Sequence, residues 1–129
     1  VVTAAVPDRE PDAVLEAATS PDTAAIYRLN GDRNPLHIDP DFARAAGFER
    51  PILHGLATYG IVCKAVVDAL LDGDPARVRD YSVRFAGILV PGETVRIRVW
   101  REGERMLLQA TCLERGDAPV LTHAVLTVR

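Results

Sequence analysis

Apolar residues change rhythm along this chain, and each rhythm predicts a different element. Within Glu93 to Arg101, Val95, Ile97 and Val99 alternate with Arg96, Arg98 and Trp100. That is the pattern of a strand with one face buried and the other partly wet. Tyr81 to Leu89, Met106 to Leu113 and Val120 to Val128 are similarly rich in β-branched residues and read as strands. Gly92, Gly103 and Gly116 mark the turns among them. From His54 to Leu71 the chain is apolar on almost every side of a helical projection, with Leu56, Ile61, Val62, Val66 and Leu70 among the residues that make it so. Gly60, Lys64 and Asp68, spaced by four, share the one narrow polar stripe. Such a helix needs cover, and the strands supply it. The expected architecture is α+β, an antiparallel sheet curled around one long helix.

Shorter signals fill the first half. Ala13 to Thr19 reads as an edge strand through Val14 and Leu15, although its alanines weaken the pattern. Ser20-Pro21 predicts the start of a short helix running through Ala24, Ala25, Ile26 and Leu29, which Gly31 ends. Asp39-Pro40 predicts a second, through Phe42, Ala43 and Ala46, closed by Gly47. Residues 1–12, with Pro7 and Pro11 among charges, read as linker, leaving 13–129 as a single domain. The valine start and this linker suit a piece of a longer chain.

Length and composition narrow the picture. A chain of 129 residues that is 48% hydrophobic builds one core and is too short for two. A net charge of -3 without long blocks gives no basic footprint for nucleic acid and no cationic helix for a membrane surface. No apolar run approaches the roughly 18 residues of a membrane span, and no signal segment opens the chain. Cys63 and Cys112 stand apart in apolar surroundings, which suits buried thiols in a reducing, cytoplasmic setting. The three histidines and two cysteines match no metal spacing, so no metal or other cofactor is expected.

The chemistry concentrates between Tyr27 and Pro40, where Asp32 and His37 lie five residues apart. On a continuous helix they would project roughly 140° apart around the axis. Pro35 disfavours helical geometry at Asn34, and Gly31 permits a sharp entry, so a loop that turns both side chains inward is expected. A carboxylate and an imidazole facing one pocket can hold a water between them and exchange its protons. Taken locally, Asp32 and Asn34 are equally the residues of a turn, and His37 a polar neighbour of a helix start. A second feature is Arg50-Pro51-Ile52-Leu53-His54-Gly55, which leads into the long helix. Gly55 then lies at a helix N-terminus, where unpaired N–H groups and a partial positive charge favour a developing oxyanion. Glycine is also common where close packing alone is needed.

Taken together, Gly31-Asp32-Arg33-Asn34-Pro35-Leu36-His37, Asp39-Pro40 with Phe42-Ala43, and Pro51-Ile52-Leu53-His54-Gly55 closely resemble the signature of MaoC-like, R-specific (type 2) enoyl-CoA hydratases. Tyr27, Gly47-Phe48, Arg84-Phe85 and Val90-Pro91-Gly92 fit the same pattern, and the likeness weakens after Val95. The resemblance implies a hot-dog fold and reversible hydration of a 2-enoyl-CoA to an (R)-3-hydroxyacyl-CoA. It implies Asp32 and His37 as the catalytic pair, with the acid and base roles left open. It also implies that Asn34 supports them by hydrogen bonding and that the Gly55 amide binds the thioester oxygen. The family includes fused double hot-dogs whose C-terminal half carries the motif, and this chain resembles such a half. A lone hot-dog leaves sheet edge and apolar surface uncovered, so a second hot-dog, fused or separate, is the expected partner.

Other residues carry less. His54 is a candidate for orienting the loop or touching the substrate, but is expected to be a capping or packing residue outside the catalytic pair, and His123 has no partner motif. Thr58, Tyr59 and Cys63 are candidates for an acyl channel, against a plain core role. Among Arg77, Arg79, Arg84, Arg96 and Arg98, Arg84 is the preferred contact for CoA phosphates because it adjoins Phe85. Other functions compete: a hot-dog thioesterase, disfavoured because the long helix carries no acid before Asp68, an acyl-carrier dehydratase using a related pocket, and a non-catalytic acyl-binding or assembly half.

Overall fold

The computed structural model describes residues 4–129. Its strands β1 (Ala13–Ala18), β2 (Val78–Phe85), β3 (Thr94–Glu102), β4 (Arg105–Cys112) and β5 (Ala118–Val128) form one antiparallel sheet in the order β1-β3-β4-β5-β2. Three helices precede β2: α1 (Thr23–Tyr27), α2 (Pro40–Ala45) and the long α3 (Gly55–Leu70). Val95, Ile97 and Val99 of β3 are fully buried, and they meet Val62, Val66 and Val67 of α3 together with Leu108, Ala110 and Leu126 in one core. The alternation in β3 is therefore the alternation of core and outer face. Arg96 and Arg98 lie on the outer face, both bonded to Asp117.

α3 is covered on one side only. Ala57, Thr58, Val62, Val66 and Val67 are buried, while Leu56 stays 62% exposed and Ile61, Cys63 and Ala65 are half-buried. A single twisted sheet reaches about half of a helix's circumference, so an all-round apolar helix exceeds what one sheet can wrap. The expected polar stripe does face outward, with Lys64 and Asp68 joined in an ion pair.

Several boundaries differ from the expected ones, most by one or two residues. α1 begins at Thr23, because the Ser20 hydroxyl accepts the Asp22 N–H and the Thr23 hydroxyl accepts the Ser20 N–H, placing Pro21 in a turn before the helix. β2 begins three residues before Tyr81 and ends at Phe85. Beyond Phe85 the chain presses against β5 at Gly87, where a Cβ would lie 2.1 Å from the Pro119 carbonyl oxygen. It then leaves the sheet, and the Leu89 carbonyl accepts the Leu53 N–H at 2.7 Å, anchoring the approach to α3.

Trp100, on the outer face, is only 4% exposed. It packs with Leu107, Val125 and Ala4, and its indole N–H donates to the Arg9 carbonyl at 2.8 Å. The Asp12 carboxylate accepts the Arg101 N–H at 2.6 Å. The Asp12 N–H donates to the Val99 carbonyl and the Arg9 guanidinium to the Arg101 carbonyl, so residues 4–12 run along the back of the sheet, held by hydrogen bonds and one aromatic ring.

Candidate active site

The loop between α1 and α2 is a chain of short capped turns. A 3₁₀ turn at Arg28–Asn30 ends at Gly31, whose φ of 106° is open to glycine and reverses the chain. The Asn34 side-chain oxygen accepts the Leu36 N–H at 3.0 Å, capping a second 3₁₀ turn, Pro35–His37, whose first position is the proline. Asp39 caps α2 by accepting the Asp41 and Phe42 N–H groups. These caps break the helix that would have separated Asp32 from His37. Asn34 therefore acts on the loop's shape: its carbonyl oxygen is spent on Leu36, and Asp32 Oδ1 accepts the Asn34 main-chain N–H at 3.3 Å.

Two bonds fix this loop to the segment before α3. The Ile52 N–H donates to the Leu36 carbonyl, and His37 Nδ1 lies 2.8 Å from the Ile52 carbonyl oxygen. A carbonyl only accepts, so Nδ1 carries the hydrogen and the neutral ring leaves Nε2 as its bare nitrogen. The atom free to exchange a proton is thus defined by the backbone.

His54, the residue preceding α3, is 2% exposed. Its ring stacks on His37 with centroids 3.8 Å apart and planes 26° apart, and lies 4.6 Å from the Tyr27 ring. Its Nε2 is 3.4 Å from the Asp32 carbonyl oxygen, and its buried Nδ1 has no partner among the described residues. Burial, and then the neighbouring His37, holds the His54 imidazole below its ordinary proton affinity. Ligand atoms of Asp32, His37 and His54 all lie within 4.8 Å of one another.

Gly55 is the first residue of α3, and no side chain caps that helix. Its N–H and that of Leu56 have no acceptor within the helix. The Phe85 ring covers the Cα, with Cε1 3.2 Å from where a Cβ would stand. Phe85 and Leu56 are 52% and 62% exposed, making an apolar rim beside this amide. A cleft of about 430 Å³ reaches His37 and is lined also by Pro21, Ile38, Arg50, Pro51 and Val90.

The sequence-predicted residues divide accordingly. Asp32 and His37 come together with His54 at the residue before α3, Asn34 caps the turn between them, and Gly55 follows His54 as the first residue of the helix. Arg84 is exposed at the end of β2 and makes no ion pair among the described residues. Thr58 is buried in the core, whereas Tyr59 and Cys63 line a separate apolar cleft of about 420 Å³ with Tyr81. There the Tyr59 and Tyr81 rings stack, and each hydroxyl donates to the other residue's carbonyl. Burial pushes the Cys63 thiol up, away from nucleophilic use. Sequence reasoning kept His54 out of the pair; its place between Leu53 and Gly55 in the motif was the signal that it shares the site. His123 stands in a bulged part of β5 at φ 49°, remote from this chemistry in the sequence motif and without a partner for its buried Nδ1 among the described residues.

Sheet and helix together define a hot-dog domain, with an acid and an imidazole meeting at the start of its long helix. Comparison with known proteins sharpens this. The family described as "MaoC like domain" matches residues 2–119, and the chain belongs to it. It is 53% identical over 116 residues to "Enoyl-CoA hydratase ChsH3" of Mycobacterium tuberculosis, covering 90% of this chain and 41% of that protein. Among solved structures, full-length peroxisomal multifunctional enzyme type 2 of Drosophila melanogaster is 42% identical with a TM-score of 0.95, over 100% of this chain and 24% of that one. The (R)-hydratase of A. caviae is 25% identical with a TM-score of 0.72, over 96% of this chain and 98% of that one. The chain thus spans less than half the length of the first two. No helix among the described residues is long and apolar enough to cross a membrane.

Proposed function

We propose that this chain is the catalytic domain of an R-specific enoyl-CoA hydratase, adding water reversibly across a trans-2-enoyl-CoA to give an (R)-3-hydroxyacyl-CoA. One observation carries the reading: the Asp32 carboxylate and the His37 ring, its Nδ1 fixed on the Ile52 carbonyl, meet beside the uncapped start of α3. The pair holds one water. As the water oxygen bonds to C3, one member takes its proton and the other gives a proton to C2, so that H and OH add across the double bond. The negative charge that gathers on the thioester oxygen is met by the Gly55 N–H. Asn34 keeps the loop in the shape this requires, and Arg84, exposed and without an ion pair among the described residues, is our candidate contact for the CoA phosphates. The reaction uses water and the thioester and calls for no further cofactor.

Exposed Ile26, Leu29, Leu56 and Phe85, with the half-covered α3, favour a second hot-dog domain as partner. The free thiols of Cys63 and Cys112 suit a reducing compartment, in our reading the cytoplasm. The thioesterase alternative has little support, because Asp68 faces outward in its pair with Lys64.

The test is to incubate the full-length protein with crotonyl-CoA and a longer 2-enoyl-CoA, follow the loss of enoyl absorbance and assign the product's configuration. Asp32→Asn and His37→Ala are each expected to cost about 10²–10⁴-fold in kcat while the far-UV spectrum is unchanged. A folded wild type without turnover, or one making the (S) product, refutes the reading.

A further inference from the structure

The reaction described above leaves one imidazole at the centre of the site without a task. His54 is 2% exposed, and its Nδ1 is buried without a partner among the described residues. An apolar ring of the same size would fill this place with no buried nitrogen to strand. What such a ring lacks is the other nitrogen. His54 Nε2 is 3.4 Å from the Asp32 carbonyl oxygen, which only accepts, so Nε2 is the donor and the tautomer is fixed. At the same time its ring stacks on that of His37 with centroids 3.8 Å apart, and the tilted Tyr27 ring lies 4.6 Å away. One residue therefore touches the main chain of the acid, the ring of the imidazole and, through the peptide bond, Gly55. Phenylalanine would stack without donating, and glutamine would donate without stacking.

We propose that His54 is the positioning residue of this site, its ring holding His37 in plane and its Nε2–H holding the Asp32 main chain, so that both partners are set from the residue that precedes α3. The proposal rests on the hydratase reading for what the pair then does. Among the described residues the His37 ring has a single hydrogen bond, through Nδ1, which fixes one atom and leaves the ring free to rotate about that direction. The stack removes that freedom and aims Nε2. Asp32 is exposed, and the one hydrogen bond to its carboxylate among the described residues comes from the Asn34 main-chain N–H, two residues on in the same loop. The His54 bond supplies the tether from outside the loop. Both effects act on geometry during the chemical step and leave substrate affinity alone.

The experiment uses full-length protein carrying His54→Ala, His54→Phe and His54→Gln, the last two keeping the volume of the buried site. Hydration of crotonyl-CoA is followed to separate kcat from KM, and the His37 ring protons are observed by NMR. His54→Ala is expected to lower kcat on the order of 10²-fold with KM changed less than about twofold. The phenylalanine and glutamine variants each recover part of kcat. The His37 ring protons, shielded by the stacked face, are expected to move downfield in the Ala and Gln variants and to stay upfield in the Phe variant. Unmoved His37 signals in His54→Gln, or a loss that falls on KM with kcat intact, would overturn the proposal. So would lost activity that merely follows the loss of folded protein. An active wild type with unaffected variants overturns this proposal alone, whereas an inactive wild type overturns the hydratase reading and this one with it.

Discussion

Replacing Gly55 by alanine separates what the fold needs from what the reaction needs. The new Cβ would stand 3.2 Å from Cε1 and 3.4 Å from Cδ1 of Phe85. That is tight by a few tenths of an ångström, and the crowded group is the end of a ring that is 52% exposed and can swing into solvent. Alanine is at the same time a better helix residue than glycine, by up to about 1 kcal/mol in a helix interior and less at the first turn. The two effects oppose each other, so stability should change by less than about 1 kcal/mol. The amide is another matter. Alanine keeps the N–H, but a methyl group on the Cα is expected to narrow the approach to it, and keeping one such donor from the thioester oxygen costs up to about 10²–10³-fold in kcat. The assay is enoyl-CoA hydration with thermal melting run on the same preparation. Combining Gly55→Ala with Phe85→Leu relieves the crowding, and the double variant should remain impaired. Turnover of Gly55→Ala at the wild-type rate would refute the placement of the thioester oxygen. A loss of more than about 2 kcal/mol would refute the steric reasoning, since Phe85 would then be unable to give way.

Gly87→Ala offers the opposite case, because its Cβ would fall 2.1 Å from the backbone oxygen of Pro119. Backbone cannot swing aside, and urea titration should show a loss of about 1–3 kcal/mol, with unchanged stability counting against the strand pairing described. Trp100→Ala should cost roughly 3 kcal/mol and expose residues 4–12 to limited proteolysis, since the ring and its bond to the Arg9 carbonyl hold that segment. His54, faced by Asp32, His37 and Tyr27, is buried with its proton affinity lowered from the ordinary 6.5. The unfolded chain therefore binds the proton more readily than the folded one. The His54 contribution is full above the ordinary value and is lost as pH falls below it. Urea midpoints should drop on acidification from about pH 7.5 to 5.5, and drop less in His54→Phe; parallel curves would count against a neutral buried imidazole.

Several parts of this protein were legible in local pattern. Period-two alternation in Val95, Ile97 and Val99 is a backbone property, and it placed the core face of β3 without any knowledge of its neighbours. Asp39-Pro40 and Gly47 bounded α2 for the same reason, since caps and φ preferences act within a few residues. The loop reading of Gly31 to His37 followed from Pro35 and Gly31, and the fold does bring Asp32 and His37 to one place. The strand expected up to Leu89 instead ends at Phe85, because its last residues bond to Leu53 and press on Pro119, partners far away in the chain.

By itself, then, the sequence determined which segments could be helix or strand, where the chain must turn, and that an acid and an imidazole share a loop. Those are consequences of dihedral preference and hydrophobic period, which act over short stretches. Only the tertiary structure decided which nitrogen of His37 is free, because the Ile52 carbonyl that settles it arrives from fifteen residues away. It also decided that His54 lies against both partners, and that one sheet leaves half of α3 bare. Tautomer, stacking and burial are set by groups that meet only when the chain folds, and no local pattern carries them.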